Sequence, residues 1–144
     1  MAINKNIIGM INRETLSQPS ILLIEDCKCD RVLIKHIMSE YYPFTLIDNA
    51  ETKLEALQYL NRNQYDLILV DLNLPDTSDC SHIKDIRHHA QTTPMVVITG
   101  THNSKTTKDT TDFGADGIIG KAELIGISFL SAMAKAVNNI EQAA

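Results

Sequence analysis

The chain has 144 residues, 44% hydrophobic and 22% charged, which is typical of a folded globular protein and excludes a disordered or fibrous one. Its net charge of -5 indicates neither nucleic acid nor an anionic membrane surface as a partner. No apolar run approaches the roughly 18 residues of a membrane helix, and three cysteines do not make a disulfide framework, so we expect a cytoplasmic protein.

The chain divides at residue 20. Residues 1–19 are mixed and polar, and we interpret them as an N-terminal extension of marginal order. Residues 20–144 are long enough for one domain with a closed hydrophobic core, and we expect them to form it.

Five short apolar runs predict five β-strands. Three of them are continuously apolar, as strands covered on both faces are. In chain order, the predicted strands are Ile21–Ile24, Phe44–Ile47, Asp66–Val70, Met95–Thr99 and Gly117–Gly120.

Apolar residues at helical spacing lie between these strands and after the last one. Alternating strands and helices favour a parallel sheet with helices on both faces. The predicted apolar faces consist of Leu33, Ile34, Ile37 and Met38; Leu54, Leu57 and Leu60; Ile83 and Ile86; and Leu130, Met133, Ala134 and Val137.

The segment from Thr101 to Asp112 breaks the pattern, because it contains no apolar residue where the alternation requires a fourth helix. Its β-branched threonines have nothing to bury before Phe113, so we expect a short, loosely held helix.

Polar side chains stand where the predicted strands end. The carboxyl ends of parallel strands meet at one edge of a sheet, where sites form. Three carboxylates at one edge repel each other and raise one another's pKa unless a cation lies among them, and oxygen ligands suit Mg²⁺. The residues at this edge are Glu25, Asp26, Asp71, Thr99 and Lys121.

This set of side chains predicts chemistry at phosphorus. Asp71 is placed as a nucleophile, while Mg²⁺ and Lys121 offset charge on the transferring group and Thr99 donates a hydrogen bond to it. Taken alone, each of these residues is more commonly a solvated residue at a strand end. Their occurrence together at one edge of the sheet favours a functional site.

Four motifs in order resemble the response-regulator receiver domain of two-component signalling: "ILLIEDCKCDR", "YDLILVDLNLPDTS", "PMVVITG" and "GADGIIGKAEL". The resemblance covers roughly residues 20 to 140. It implies a flavodoxin-like, doubly wound α/β fold with five parallel strands in the order 2-1-3-4-5.

The resemblance also implies roles for individual residues. Asp71 would accept phosphate, Glu25 and Asp26 would hold Mg²⁺ together with Asp71, and the backbone carbonyl of Asn73 would complete the protein ligands. Thr99 would bond the phosphoryl group and Lys121 would pair with it.

The resemblance implies partners as well. The donor would be a phosphohistidine on a sensor histidine kinase or a phosphotransfer protein. The changed surface would signal to a downstream protein, and a homodimer is possible. The sequence names none of these partners, and we expect a single-domain regulator because the chain stops soon after the last predicted helix.

Two positions depart from the family pattern. Asp79 stands where the family usually has Gly, so the loop either avoids a positive φ or Asp tolerates one. Ile118 stands where the family usually has an aromatic ring that turns inward on phosphorylation. With the apolar-poor fourth helix, this suggests a modified output face, ordered by phosphate or a partner.

Three alternatives stay open. A pseudo-receiver would keep the fold as an interaction module without phosphotransfer, and Ile118 mildly favours it. A metal-dependent phosphohydrolase would need a second carboxylate where Asn73 stands. A zinc or redox site at Cys27, Cys29 and Cys80, with His82 close to Cys80, is conceivable, but C-x-C lacks the spacing of common zinc sites.

Overall fold

The computed structural model describes residues 19–124, together with Phe129 and Ser131. The strands are β1 (Ser20–Ile24), β2 (Leu46–Ala50), β3 (Leu67–Asp71), β4 (Met95–Thr99) and β5 (Gly117–Gly120). The helices are α1 (Lys28–Tyr41), α2 (Lys53–Arg62), α3 (His82–His89) and α4 (Ser104–Asp112), and a 3₁₀ turn follows at Lys121–Glu123.

The five strands form one parallel sheet in the order β2-β1-β3-β4-β5, which confirms the predicted fold class. Strands β3 and β4 are buried throughout, as their continuously apolar sequences predict. In the register of the sheet, Ile24 pairs with Val70 and Asp71 pairs with Ile98. The ends of β1, β3 and β4 therefore meet at one edge.

The two faces of the sheet carry separate apolar clusters. Along β1, Ile21 and Leu23 pack on the face covered by α1, whereas Leu22 and Ile24 pack on the face covered by α2 and α3. Each fully buried Leu or Ile stabilises the fold by about 1.5–3 kcal/mol. Within the described ranges, no helix is long and apolar enough to cross a membrane.

The second strand lies later in the chain than predicted. The sequence placed it at Phe44–Ile47, but it runs from Leu46 to Ala50. Phe44 has a φ of +82° and belongs to the turn that follows α1, so it cannot take strand geometry. The apolar run predicted the wrong bounds because β2 is an edge strand whose burial alternates, and only its last residue, Ala50, is fully buried.

The predicted face of α2 is partly wrong. Leu54 is 63% exposed, and the residue that the helix buries completely is the small Ala56. Leu57 and Leu60 do pack against the core. Because Ala56 rather than Leu54 faces the sheet, the buried stripe of the helix is rotated away from the one that the leucines suggested.

The fourth helix has nine residues and is stabilised by local polar contacts instead of an apolar face. Asn103 and Thr106 form a reciprocal capping box at its start. The buried Thr110 hydroxyl donates to the carbonyl of Thr106 at 2.7 Å. Loose attachment and ordering by phosphate stay predictions. The predicted helix around Leu130 to Val137 and nearly all of the predicted extension lie outside the described residues.

Candidate functional site

Three carboxylates meet at the edge where β1 and β3 end. Glu25 and Asp26 follow β1 directly, and Asp71 is the last residue of β3. One oxygen from each lies within 4.8 Å of the others. Glu25 and Asp71 are buried, whereas Asp26 is exposed to solvent. The fold thus brings together the three acids that the sequence predicted at this edge.

Lys121 places its ammonium group among these acids. It begins the turn after β5, and its Nζ lies 2.9 Å from Oδ2 of Asp71 and 3.1 Å from Oε2 of Glu25. Burial alone lowers the pKa of Lys121, but the hydrogen bonds that it donates to carboxylates outweigh burial and raise it. The lysine is therefore a fixed positive charge beside Asp71.

The buried Glu25 has an unusual charge balance. Burial is the largest influence and, with Asp71 nearby, raises the pKa of Glu25 to about 7, against the lowering effects of the Cys27 N–H and Lys121. Its Oε1 accepts a hydrogen bond from the N–H of Cys27 at 3.0 Å. Its Oε2 is buried without a hydrogen-bond partner, because Lys121 approaches at an ion-pair distance without hydrogen-bond alignment.

The donor set fits a small, hard divalent cation. Mg²⁺ prefers a few carboxylate oxygens and keeps several waters, and here one buried ligand oxygen lacks a hydrogen bond while another carboxylate is open to solvent. A cation among Glu25, Asp26 and Asp71 would offset the burial and the repulsion by Asp71 that together raise the pKa of Glu25.

Thr99 and Asn73 lie beside the acids as expected from their positions in the chain. Thr99 ends β4 directly after Ile98, the register partner of Asp71, and its buried hydroxyl accepts a hydrogen bond from the N–H of Thr101 at 3.0 Å. The N–H of Asn73 donates to Oδ1 of Asp71 at 3.1 Å. Because the Thr99 hydroxyl accepts the hydrogen bond from Thr101, its own O–H does not take part in that bond. The N–H of Asn73 holds one carboxylate oxygen of Asp71 in place.

Asp30 is a neighbour of the acidic cluster that sequence reasoning missed. It lies in the first turn of α1, and its Oδ2 accepts a hydrogen bond from Lys121 Nζ at 2.6 Å. Asp26 lies before the helix, so helical spacing does not relate the two acids, and no sequence pattern links Asp30 with Lys121.

The sequence placed His82 near the active edge, close to Cys80, but its contact with Asp71 was missed, and it lies directly behind the site. Its side chain is 1% exposed, with Nε2 3.0 Å from the main-chain oxygen of Asp71 and Nδ1 3.0 Å from that of Asp79. Since both partners are acceptors, a neutral ring can donate to only one of them, and the imidazolium form donates to both. The ring ties the end of β3 to the loop before α3.

The loop after Asp71 is held at its far side as well. Asp76 accepts hydrogen bonds from the N–H groups of Lys53 and Leu54 at 2.8 and 3.0 Å, at the start of α2. Among the described residues, Phe44 is the one non-glycine position with a positive φ, so the loop avoids that conformation at Asp79. The absence of Gly at Asp79 therefore imposes no backbone strain.

The contacts of the cysteines and histidines disfavour a zinc site. Both ring nitrogens of His82 face carbonyl oxygens, and the one candidate metal group among the described residues contains no cysteine. Burial, with Asp109 nearby, raises the pKa of the Cys80 thiol, which makes it less reactive. His102 pairs with Glu123 at 3.5 Å instead of reaching the acids.

Ile118 lies in β5, half-buried, against the apolar cluster under α2 and α3. A branched aliphatic side chain here fills space on that face and has no ring to rotate between two environments. The aromatic readout that the family resemblance implied for this position is therefore missing from the side chain itself.

Comparison with known proteins agrees with the fold. A family model described as the response regulator receiver domain matches residues 21–127. The chain belongs to this family, the receiver domains of two-component systems.

A curated relative agrees with this assignment, and solved structures agree with the fold. The "Probable C4-dicarboxylate response regulator DctR" of Priestia megaterium is 26% identical over 67% of the chain and 42% of its own length. A CheY-like receiver domain protein from Methanospirillum hungatei JF-1 superposes with a TM-score of 0.73 at 19% identity, over 89% of the chain and all of its own. A two-component response regulator from Clostridium difficile has a TM-score of 0.71 at 26% identity, over 85% of the chain and 97% of its own. The chain spans less than half the length of the curated relative.

Proposed function

We propose that this chain accepts a phosphoryl group on Asp71 and signals through the surface change that follows. The observation that carries the proposal is the cluster itself: three carboxylates within 4.8 Å of one another, with an ammonium 2.9 Å from the buried Asp71. A structural ion pair consists of one acid and one base. At this edge of the sheet, by contrast, three acids lie together beside one lysine, and in the proposal the nucleophile Asp71 faces a cation held by these acids.

Each side chain has a definite task in this proposal. A carboxylate oxygen of Asp71 attacks phosphorus, and the N–H of Asn73 orients the carboxylate. Lys121 offsets negative charge on the transferring group, and Thr99 donates its O–H to a phosphoryl oxygen. Bulk water has little access to the attacking oxygen because Asp71 is 3% exposed.

A Mg²⁺ ion would be held by Glu25, Asp26, Asp71 and the backbone carbonyl of Asn73, and when bound it supplies positive charge that stabilises the phosphoryl oxygens. The raised pKa of Glu25 fits this role, since a protonated acid becomes a ligand when the cation displaces its proton.

The natural donor is a phosphohistidine on a sensor histidine kinase or phosphotransfer protein, and the acceptor of the signal is a downstream protein that reads the altered surface. Ile118 and the polar α4 together point to a readout that does not depend on a rotating ring. A pseudo-receiver without phosphotransfer would share the fold but would leave Asp71 unmodified.

The proposal is tested by incubating the chain with acetyl phosphate and following its intact mass with and without Mg²⁺. The expected result is a gain of one phosphoryl group that requires Mg²⁺ and is absent from the Asp71→Asn variant. No gain in the presence of bound Mg²⁺ would favour the pseudo-receiver.

A further inference from the structure

Lys121 contacts two other carboxylates besides that of Asp71. Its Nζ lies 2.6 Å from Oδ2 of Asp30, closer than to Asp71 at 2.9 Å or to Glu25 at 3.1 Å. An ammonium has three N–H donors, and two of them are engaged by Asp30 and Asp71. The charge that the phosphoryl group needs is therefore divided between acids before any phosphate arrives.

Asp30 stands apart from the acids that suit a metal. It is absent from the group formed by Glu25, Asp26 and Asp71, and it comes from α1 and not from a strand end. The hydrogen bond from Lys121 is the largest influence that holds the pKa of Asp30 below its ordinary range, so Asp30 is ionised at neutral pH. Its one recorded cationic partner among the described residues is Lys121.

We propose that Asp30 is a positioning residue that competes with the phosphoryl group for Lys121 and so limits how readily Asp71 is phosphorylated and how long the phosphate persists. This inference rests on the proposed function. The transfer balances without another reactant: an Asp71 oxygen bonds to phosphorus while the bond from phosphorus to the donor breaks and its electron pair leaves with the donor.

The negative charge of Asp30 limits phosphorylation of Asp71 through two effects. An ionised Asp30 repels the negative oxygens of the incoming phosphoryl group, which must come within reach of the same ammonium. After transfer, Asp30 continues to draw Lys121 away from the phosphoryl oxygens and weakens their pairing. Removal of this one charge is therefore expected to speed the gain of phosphate and to slow its loss.

The test compares Asp30→Asn with the wild-type chain in acetyl phosphate and Mg²⁺, measuring phosphoryl gain and then loss by intact mass after the donor is removed. We expect about three- to tenfold faster gain and slower loss, the effect of one partly exposed charge pair. Asp30→Glu keeps the charge and should restore the wild-type rates. Asp112→Asn, which removes the same charge from an exposed pair with Lys108, should match the wild type.

Faster gain and slower loss of the phosphoryl group in Asp30→Asn distinguish a positioning role from a structural one. If Asp30 only stabilised the fold, its removal would slow the gain. Asp30→Asn rates equal to those of Asp112→Asn, or slower gain in Asp30→Asn, would overturn the inference while leaving Asp71 as the acceptor. If the wild-type chain gains no phosphate, the proposed function fails and the inference fails with it.

Discussion

The imidazole of His82 lies 3.0 Å from the main-chain oxygen of Asp71, so a fully buried histidine holds the backbone of the candidate phosphoacceptor. Its other ring nitrogen lies 3.0 Å from the main-chain oxygen of Asp79. The His82 ring therefore links the end of β3 to the loop eight residues later in the chain. This contact fixes the position from which the Asp71 carboxylate leaves the sheet.

Replacing this histidine by an apolar residue should therefore loosen the site. In His82→Leu the main-chain oxygens of Asp71 and Asp79 lose the ring that donates to one or both of them, which costs about 1–3 kcal/mol of the free energy of unfolding and slows phosphoryl gain. Urea denaturation and the acetyl phosphate assay measure the two effects. His88→Leu makes the same change at an exposed position of α3, and equal losses in both variants would contradict the role of His82.

The stability of the chain should fall as pH rises through the range in which Glu25 ionises. Burial raises its pKa from 4.5 to about 7, so between these values the folded chain keeps a proton that the unfolded chain has lost. Unfolding thus becomes easier between pH 4.5 and 7 in the absence of divalent cations.

The variant Glu25→Gln removes this ionisation and keeps an oxygen for the N–H of Cys27. Above pH 7 it should be more stable than the wild type by about 1–3 kcal/mol, and the difference should vanish in acid. Thermal unfolding over a pH series without Mg²⁺ measures it, with the exposed Glu40→Gln as control. A variant less stable than the wild type at pH 8 would refute this account of Glu25.

Asp76 should stabilise the start of α2 from the loop that follows Asp71. Partial burial opposes its ionisation, but the hydrogen bonds from the N–H groups of Lys53 and Leu54 prevail and lower the pKa of Asp76. Asp76→Ala should lower the free energy of unfolding by about 1 kcal/mol near neutral pH.

The contribution of Asp76 should be present above the ordinary pKa of an aspartate and should disappear as the pH falls through its lowered value. Urea denaturation at neutral and acid pH tests this, with Asp112→Ala as the control for loss of an exposed acid. A loss of stability that is the same at every pH would argue against the helix-capping contacts.

Arg87 joins the end of α3 to the loops around β4 and β5. Its guanidinium donates to the main-chain oxygens of Ala90, Thr93 and Gly114 and to the carboxylate of Asp116, at 2.7–2.9 Å. Arg87→Lys keeps the charge but cannot reach all four, so we expect a loss of about 2–4 kcal/mol in urea denaturation. Arg62→Lys, at an exposed position, should change little, and a similar result for Arg87→Lys would contradict its role.

The sequence predicted the sheet well because its evidence was strong there. β3 and β4 are five-residue strands formed by continuous apolar runs, a length and a burial typical of strands covered on both faces. The acids, the threonine and the lysine followed from the topology, since parallel strands deliver their ends to one edge. At the edge of the sheet the pattern is weaker, and the boundaries of β2 and the exposure of Leu54 were missed.

The contacts of Asp30 and His82 were missed for a different reason. Each acts through a contact between elements far apart in the chain, Asp30 with Lys121 and His82 with the main chain of Asp71. Periodicity describes the face of an element and not the partner that it meets, and a histidine beside Ile83 is indistinguishable from a surface residue until the packing is known.

The most direct test of the account is to locate the phosphoryl group on the chain. After reaction with acetyl phosphate and Mg²⁺, borohydride reduces an aspartyl phosphate to homoserine, and peptide mass mapping identifies the residue that changed. The account predicts homoserine at position 71 and none at the neighbouring Asp26 or Asp30. Reduction at either neighbour, or an unmodified Asp71 in the presence of Mg²⁺, would contradict it.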